Sequence, residues 1–139
     1  MNRLHVHLHV RDIAQSVRFY TALFGAAPAK RESDYAKWML EDPRVNFAIS
    51  TGGDAGLSHL GIQVEDEAAL TQATARAVAA AGSVMEEKAA NCCYAISDKA
   101  WATDPQGIRW ETFRTTGDLT VYGAGAVREP AEACCGGSC

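Results

Sequence analysis

The side chains able to hold a metal or a soft electrophile fall into a few tight groups in this sequence. His5, His7 and His9 alternate along the opening MNRLHVHLHV, and His59 stands alone further on. Cys92-Cys93 and Cys134-Cys135 are adjacent pairs, and Cys139 makes a fifth cysteine. Neutral imidazoles and a carboxylate suit a divalent first-row metal, and three protein ligands leave positions open for substrate, water or O2, as in catalytic rather than structural sites. Adjacent cysteines seldom close on each other, because the small ring strains the peptide. Clustered thiols of this kind point to a soft metal or metalloid, or to catalysis.

An internal repeat selects among the candidates. His5-Val-His-Leu-His-Val-Arg-Asp12 and His59-Leu-Gly-Ile-Gln-Val-Glu-Asp66 share the pattern His-apolar-x-apolar-x-apolar-charged-Asp, 54 residues apart. Period-two alternation predicts a half-buried strand in each, with His5, His7 and His9 on one face and Val6, Leu8 and Val10 on the other. One strand histidine alone is usually a surface or core residue, but two at matching positions suggest a shared task. Glu111 sits between Trp110 and Thr112 in an otherwise apolar last strand, where a carboxylate needs a partner. His5, His59 and Glu111 are the candidate metal ligands on this pattern, and the resemblance given below is what chiefly favours them. A register error of one pair would put His7 in place of His5. The set favours Fe(II), with Zn, Ni, Mn and Co open to it.

The elements that must carry these groups are legible too. Asp12 caps a helix whose Ile13, Val17, Tyr20, Leu23 and Phe24 recur at helical spacing until Gly25. Asp66 precedes an Ala-rich helix through Ala81 that ends at Gly82. Strands over 37–40 and 45–50 flank Asp42-Pro43, and strands over 100–103 and 108–113 flank Asp104-Pro105, whose Gly107 completes turn chemistry. The chain reads as an α+β protein of two βαβββ modules, residues 1–56 and 57–115, hinged near Gly52-Gly53. Residues 116–139 read as a Gly- and Cys-rich tail, either a thiol arm or an unstructured end. Aligning the Asp-Pro turns sets Ala48 opposite Glu111 and leaves about nine extra residues in the second module, near 83–98. That insertion is expected to be a loop that brings in Cys92 and Cys93. Lys99, just beyond, could lower thiol pKa values or hold an anionic group; a solvated surface lysine is its plain alternative. Tyr35 and Trp101 are candidate walls of a substrate pocket, or simply core.

Bulk properties narrow the classes. The 139 residues fit one compact domain, and 47% hydrophobic with 22% charged residues is ordinary globular composition. A net charge of −4 gives no reason to expect nucleic-acid binding, and no apolar run approaches membrane-spanning length. The opening does not read as a signal peptide, so a cytoplasmic location with reduced thiols is expected.

These residues resemble the vicinal-oxygen-chelate (glyoxalase/bleomycin resistance/extradiol dioxygenase) superfamily. The cues are His5-Val-x-Leu-x-Val-x-Asp, Phe19-Tyr20-x-x-Leu-Phe-Gly25, Leu57-x-His59-Leu-Gly-Ile-x-Val64 and Asp104-Pro-x-Gly107-x-x-Trp110-Glu111. The resemblance implies a glyoxalase-like fold with a metal site in the cleft. Asp34-Tyr-Ala-Lys37 and Asn91-Cys-Cys-Tyr-Ala-x-x-Asp-Lys-x-Trp101 resemble the narrower cadmium-induced protein and organoarsenical carbon–arsenic lyase family. That resemblance implies Fe(II) on His5, His59 and Glu111, a trivalent organoarsenical on Cys92 and Cys93, and O2-dependent release of arsenite. Some relatives have Gln where this chain has His5. Two other readings stay open: a Cd(II)- or As(III)-binding resistance protein without turnover, and a glyoxalase or ring-cleaving dioxygenase acting on another substrate. Modules of this superfamily pair within one chain or across a dimer, so a homodimer is allowed.

Overall fold

In the computed structural model, the described residues are 1–92 and 94–118; the side chains of Cys92 and Asp118 lie outside the description, as do Cys93 and residues 119–139 with Cys134, Cys135 and Cys139. The element order is β1 (Arg3–His9), α1 (Ile13–Phe24), β2 (Lys30–Arg31), β3 (Tyr35–Glu41), β4 (Arg44–Ser50), β5 (Gly56–Gln63), α2 (Glu67–Ala81), β6 (Met85–Cys92), β7 (Ala95–Thr103) and β8 (Arg109–Asp118). Five elements repeat as βαβββ on each side of the Gly52-Gly53 bend.

All eight strands form one sheet in the order β2-β3-β4-β1-β5-β8-β7-β6. The two histidine strands lie at its centre and pair antiparallel, Val6 opposite Leu60 and His7 opposite His59. Each also pairs parallel with the last strand of its own module, β1 with β4 and β5 with β8. His7 pairs with Ala48 and Gly61 with Glu111, so Ala48 and Glu111 are equivalent, as the aligned turns imply.

The helices begin and end where side chains can satisfy the backbone. Asp12 accepts a hydrogen bond from the Gln15 amide at 2.8 Å, and Gly25 closes α1 in the left-handed region. Asp66 caps α2 through the Ala69 amide at 2.7 Å. α1 lays Ile13 and Val17 on a core of Ala36, Trp38, Phe47 and Ile49, with Val6, Leu8 and Val10 against it. The alanine-rich α2 contributes less bulk, and its core is Val64, Leu70 and Ala73. Period two therefore sends the apolar rows of β1 to the helix face. His5, His7 and His9 point to the opposite face, where all three are buried.

The stretch expected as an insertion loop is a β-hairpin. β6 and β7 pair from Met85 opposite Trp101 to Cys92 opposite Ala95. A bulge between Glu87 and Ala90 interrupts the pairing, with the Ala89 amide on Asp98 Oδ1 at 2.8 Å. The alanines and lysine of this stretch weaken its strand signal, and the pairing is supplied by β7.

Candidate metal centre

His5 and His59 come from the two central strands and Glu111 from β8, and their side chains converge on one buried point. His5 Nε2 lies 3.2 Å from His59 Nε2. Glu111 Oε2 lies 3.3 Å from His59 Nε2 and 3.7 Å from His5 Nε2. Metal–ligand bonds of about 2.1 Å separate neighbouring ligand atoms by roughly 3.0–3.4 Å; the two separations at His59 Nε2 fall in that range, and the His5–Glu111 separation of 3.7 Å is a few tenths of an ångström wider. Each of the three residues is about 5% exposed or less.

The donor set also has suitable protonation. His5 Nδ1 faces the Asn46 carbonyl at 3.1 Å; a carbonyl only accepts, so Nδ1 carries the proton and Nε2 offers its lone pair. Burial, aided by His59 and Lys99, draws the His5 pKa down to about 4 against the pull of Glu111. His7 is lowered for the same first reason, with His59 and His5 adding to it. His59 Nδ1 is 3.0 Å from Ser58 Oγ.

Burial alone would raise the Glu111 carboxyl, but Lys99, with the hydrogen bond and charge of His59, holds it well below the usual carboxylate range. Lys99 Nζ lies 2.6 Å from Glu111 Oε1 and leaves Oε2 to face the imidazoles. Lys99 is thus a buried lysine fixed on the Glu111 carboxylate, not a solvated one.

His7 joins the group. One ligand atom from each of His5, His7 and His59 lies within 4.8 Å of the others. Its Nε2 is engaged by Ser50 Oγ at 2.8 Å, and Ser50 Oγ is 3.4 Å from His9 Nδ1. The cavity over these residues, about 40 Å³, is lined by His5, His7, His59, Glu111, Lys99 and Tyr35 among others. That is room for an ion with a small ligand or two. Trp101 is not part of this lining. Its ring meets His59 edge-on at 5.0 Å, and its Nε1 donates to Glu87 Oε1 at 2.7 Å, so it supports an imidazole from behind.

Asn46 and Ser50, which orient His5 and His7, are not evident in the sequence alone. Both lie on β4, and only the parallel β1·β4 register brings them opposite the histidines. Gly61 is a further requirement: a Cβ there would run into the backbone carbonyl of Glu111. The Cys92 and Cys93 side chains, proposed for substrate, fall outside the described residues.

The profile of the Glyoxalase/Bleomycin resistance protein/Dioxygenase superfamily matches residues 3–112. The chain belongs to this superfamily. A trivalent organoarsenical cleaving enzyme of Thermomonospora curvata is 36% identical over 138 residues, 97% of this chain and 89% of that protein. Cadmium-induced protein CadI of Mycobacterium bovis is 35% identical over 129 residues, 90% of this chain and 84% of that protein. Among solved structures, an extradiol ring-cleaving dioxygenase from B. fuscum superposes with a TM-score of 0.61 at 20% identity, covering 84% of this chain and 33% of that one. At that identity the likeness is one of fold. Among the described residues no helix is long and apolar enough to cross a membrane.

Proposed function

We propose that this protein is a carbon–arsenic lyase that takes trivalent organoarsenicals, methyl or aryl As(III), and releases arsenite with O2 as co-substrate. The observation that carries the reading is the convergence of His5 Nε2, His59 Nε2 and Glu111 Oε2 in a buried cleft. Support for the substrate class comes from the organoarsenical-cleaving relative matched along 97% of the chain. Fe(II) is the first choice of metal, with Zn, Ni, Mn and Co also compatible with two nitrogens and one oxygen. When bound, Fe(II) would supply the redox chemistry with O2 that breaks the carbon–arsenic bond; for a methyl substrate, methylarsenite and one O2 balance as formaldehyde and arsenite, one oxygen going to carbon and one to arsenic.

The chain's own groups do the rest. Cys92 and Cys93 displace the two hydroxyls of R–As(OH)2, forming two As–S bonds and releasing two waters. The As–C bond is the one left free, and fixing its direction lowers the entropic part of the barrier. Lys99 acts through Glu111, holding it ionised with one oxygen engaged and the other available. Tyr35 walls the cleft, and Trp101 fixes the His59 ring.

A second reading, capture of Cd(II) or As(III) without turnover, is favoured by the likeness to the cadmium-induced protein. Thiol substitution separates binding from chemistry. Cys92→Ser and Cys93→Ser should each abolish arsenical turnover while Fe(II) affinity stays within about twofold, because the thiols lie outside the His/His/Glu set. Titration of the unaltered protein should consume two thiols of this pair per arsenic. Full turnover by the double variant would remove the mechanism. Stoichiometric thiol capture with no arsenite formed would favour the binding protein.

A further inference from the structure

Tyr94 directly follows Cys92-Cys93 in the chain, at the turn between β6 and β7. Its φ is 64°, in the left-handed region that a tyrosine rarely enters. Such a conformation persists only where the surroundings over-determine it. Here they do. The Tyr94 hydroxyl donates to Asp34 Oδ1 at 2.5 Å, across 60 residues of sequence. The ring packs on Tyr35 with centroids 5.4 Å apart, and Lys30 Nζ lies 5.2 Å from its centre. Asp34 is anchored in turn, its carbonyl accepting from the Thr51 amide at 3.1 Å.

The topology gives this tie its meaning. Four strands, β4, β1, β5 and β8, separate β3 from β7 in the sheet. A contact between Asp34, just ahead of β3, and Tyr94, just ahead of β7, therefore spans the curved sheet rather than neighbouring strands. Tyr35 and Ala95, next in sequence to these two residues, both line the metal cavity. Tyr94, Tyr35 and Ala48 form a buried cluster. Ala48 stands where the second module has Glu111, and its small side chain leaves the space that the tyrosines fill.

We infer that Asp34 and Tyr94 are a positioning pair for the reaction, tying the residue that directly follows Cys92-Cys93 in sequence to the opposite wall of the candidate metal cleft. The inference rests on the proposed role of that cysteine pair as the arsenical's thiols. Neither residue touches substrate; the tie sets where the captured arsenical stands relative to His5, His59 and Glu111.

The test uses the full chain loaded with Fe(II) and a methylarsenite. Tyr94→Phe keeps the ring and removes the hydroxyl, and Asp34→Ala removes the acceptor. Each should lower kcat on the order of ten- to a hundredfold, the scale of a misplaced reacting group, with little change in KM or in thiols consumed per arsenic. The double variant should be no worse than either single one. Asp34→Asn, which keeps an acceptor oxygen, should recover most of the rate. Wild-type kcat in Tyr94→Phe, or losses that multiply in the double variant, would overturn the inference. If the unaltered protein leaves the arsenical intact, it is the proposed function that fails. Amide exchange then reads the tie directly: Tyr94→Phe and Asp34→Ala should speed exchange at Tyr94, Ala95 and Ile96 about tenfold or more with the unfolding midpoint little changed, and unaltered exchange there would overturn it.

Discussion

Lys99 and Glu111 form a charge pair in which both residues are about 5% exposed or less, and their loss should be read differently with and without metal. Lys99→Met leaves a buried carboxylate without its countercharge. In the metal-free protein this should cost about 3–5 kcal/mol of unfolding free energy, measured by urea denaturation. A bound divalent cation restores a countercharge, so saturating metal should recover much of that loss. An equal loss in both states would contradict the role given to Lys99. The histidines give a pH signature of the opposite chemical type. His5 and His7 are neutral when folded, with His5 drawn to about 4, and protonate near 6.5 once unfolded. Between those values the unfolded chain binds more protons, so the metal-free protein should lose stability as pH falls from about 6.5 towards 4. Urea midpoints at about pH 7 and about pH 5 check this; a midpoint unchanged over that interval would contradict neutral buried imidazoles.

At the scale of elements, the repeated His-apolar strands, the Asp-capped helices and the two Asp-Pro turns could be read because each carries a local signal of period or capping. β2 and β6 could not. Lys30–Arg31 is two residues long, and β6 draws its pairing from β7 rather than from its own composition. Within the candidate site, His5 and His59 stand out in the sequence as matched repeat positions, and Glu111 as a carboxylate in an otherwise apolar strand. The pairing of Lys99 with Glu111 depends on the β7·β8 register, which sets Lys99 opposite Phe113 and Trp101 opposite Glu111, and that is a non-local fact. The expected insertion loop was wrong in form because an excess of residues reveals length but not pairing. Gly61 belongs at this scale as well. β5 and β8 approach so closely there that a side chain at 61 meets backbone, which cannot rotate away. Gly61→Ala should displace Glu111 and weaken metal binding about tenfold or more while the circular dichroism spectrum stays native. Unchanged metal affinity in this variant would show that the strand spacing is not what places the carboxylate.

The whole molecule is an internal βαβββ repeat put to asymmetric use. Its two modules share strand order and helix caps, yet Ala48 and Glu111 stand at equivalent positions, and three histidines on β1 face one on β5. The symmetric scaffold sets His5 and His59 on the two paired central strands; the departures from symmetry supply Glu111, where the first module has Ala48, and the longer β6–β7 hairpin. Under the proposed function, such an arrangement would hold the metal on rigid strands and leave substrate capture to the cysteine pair, a division that suits a thiophilic substrate. The superfamily hosts many reactions on this fold, so the site rather than the fold must carry the claim. The most direct measurement is a single-turnover assay of the unaltered protein. It is loaded with Fe(II) without oxygen, charged with one equivalent of methylarsenite, and then given O2 while the arsenic is speciated. Methylarsenite should persist until O2 is admitted and then convert to inorganic arsenite in close to one equivalent, with no conversion in Glu111→Ala. Methylarsenite unchanged after O2, or arsenite formed equally well by Glu111→Ala, would contradict the proposed function.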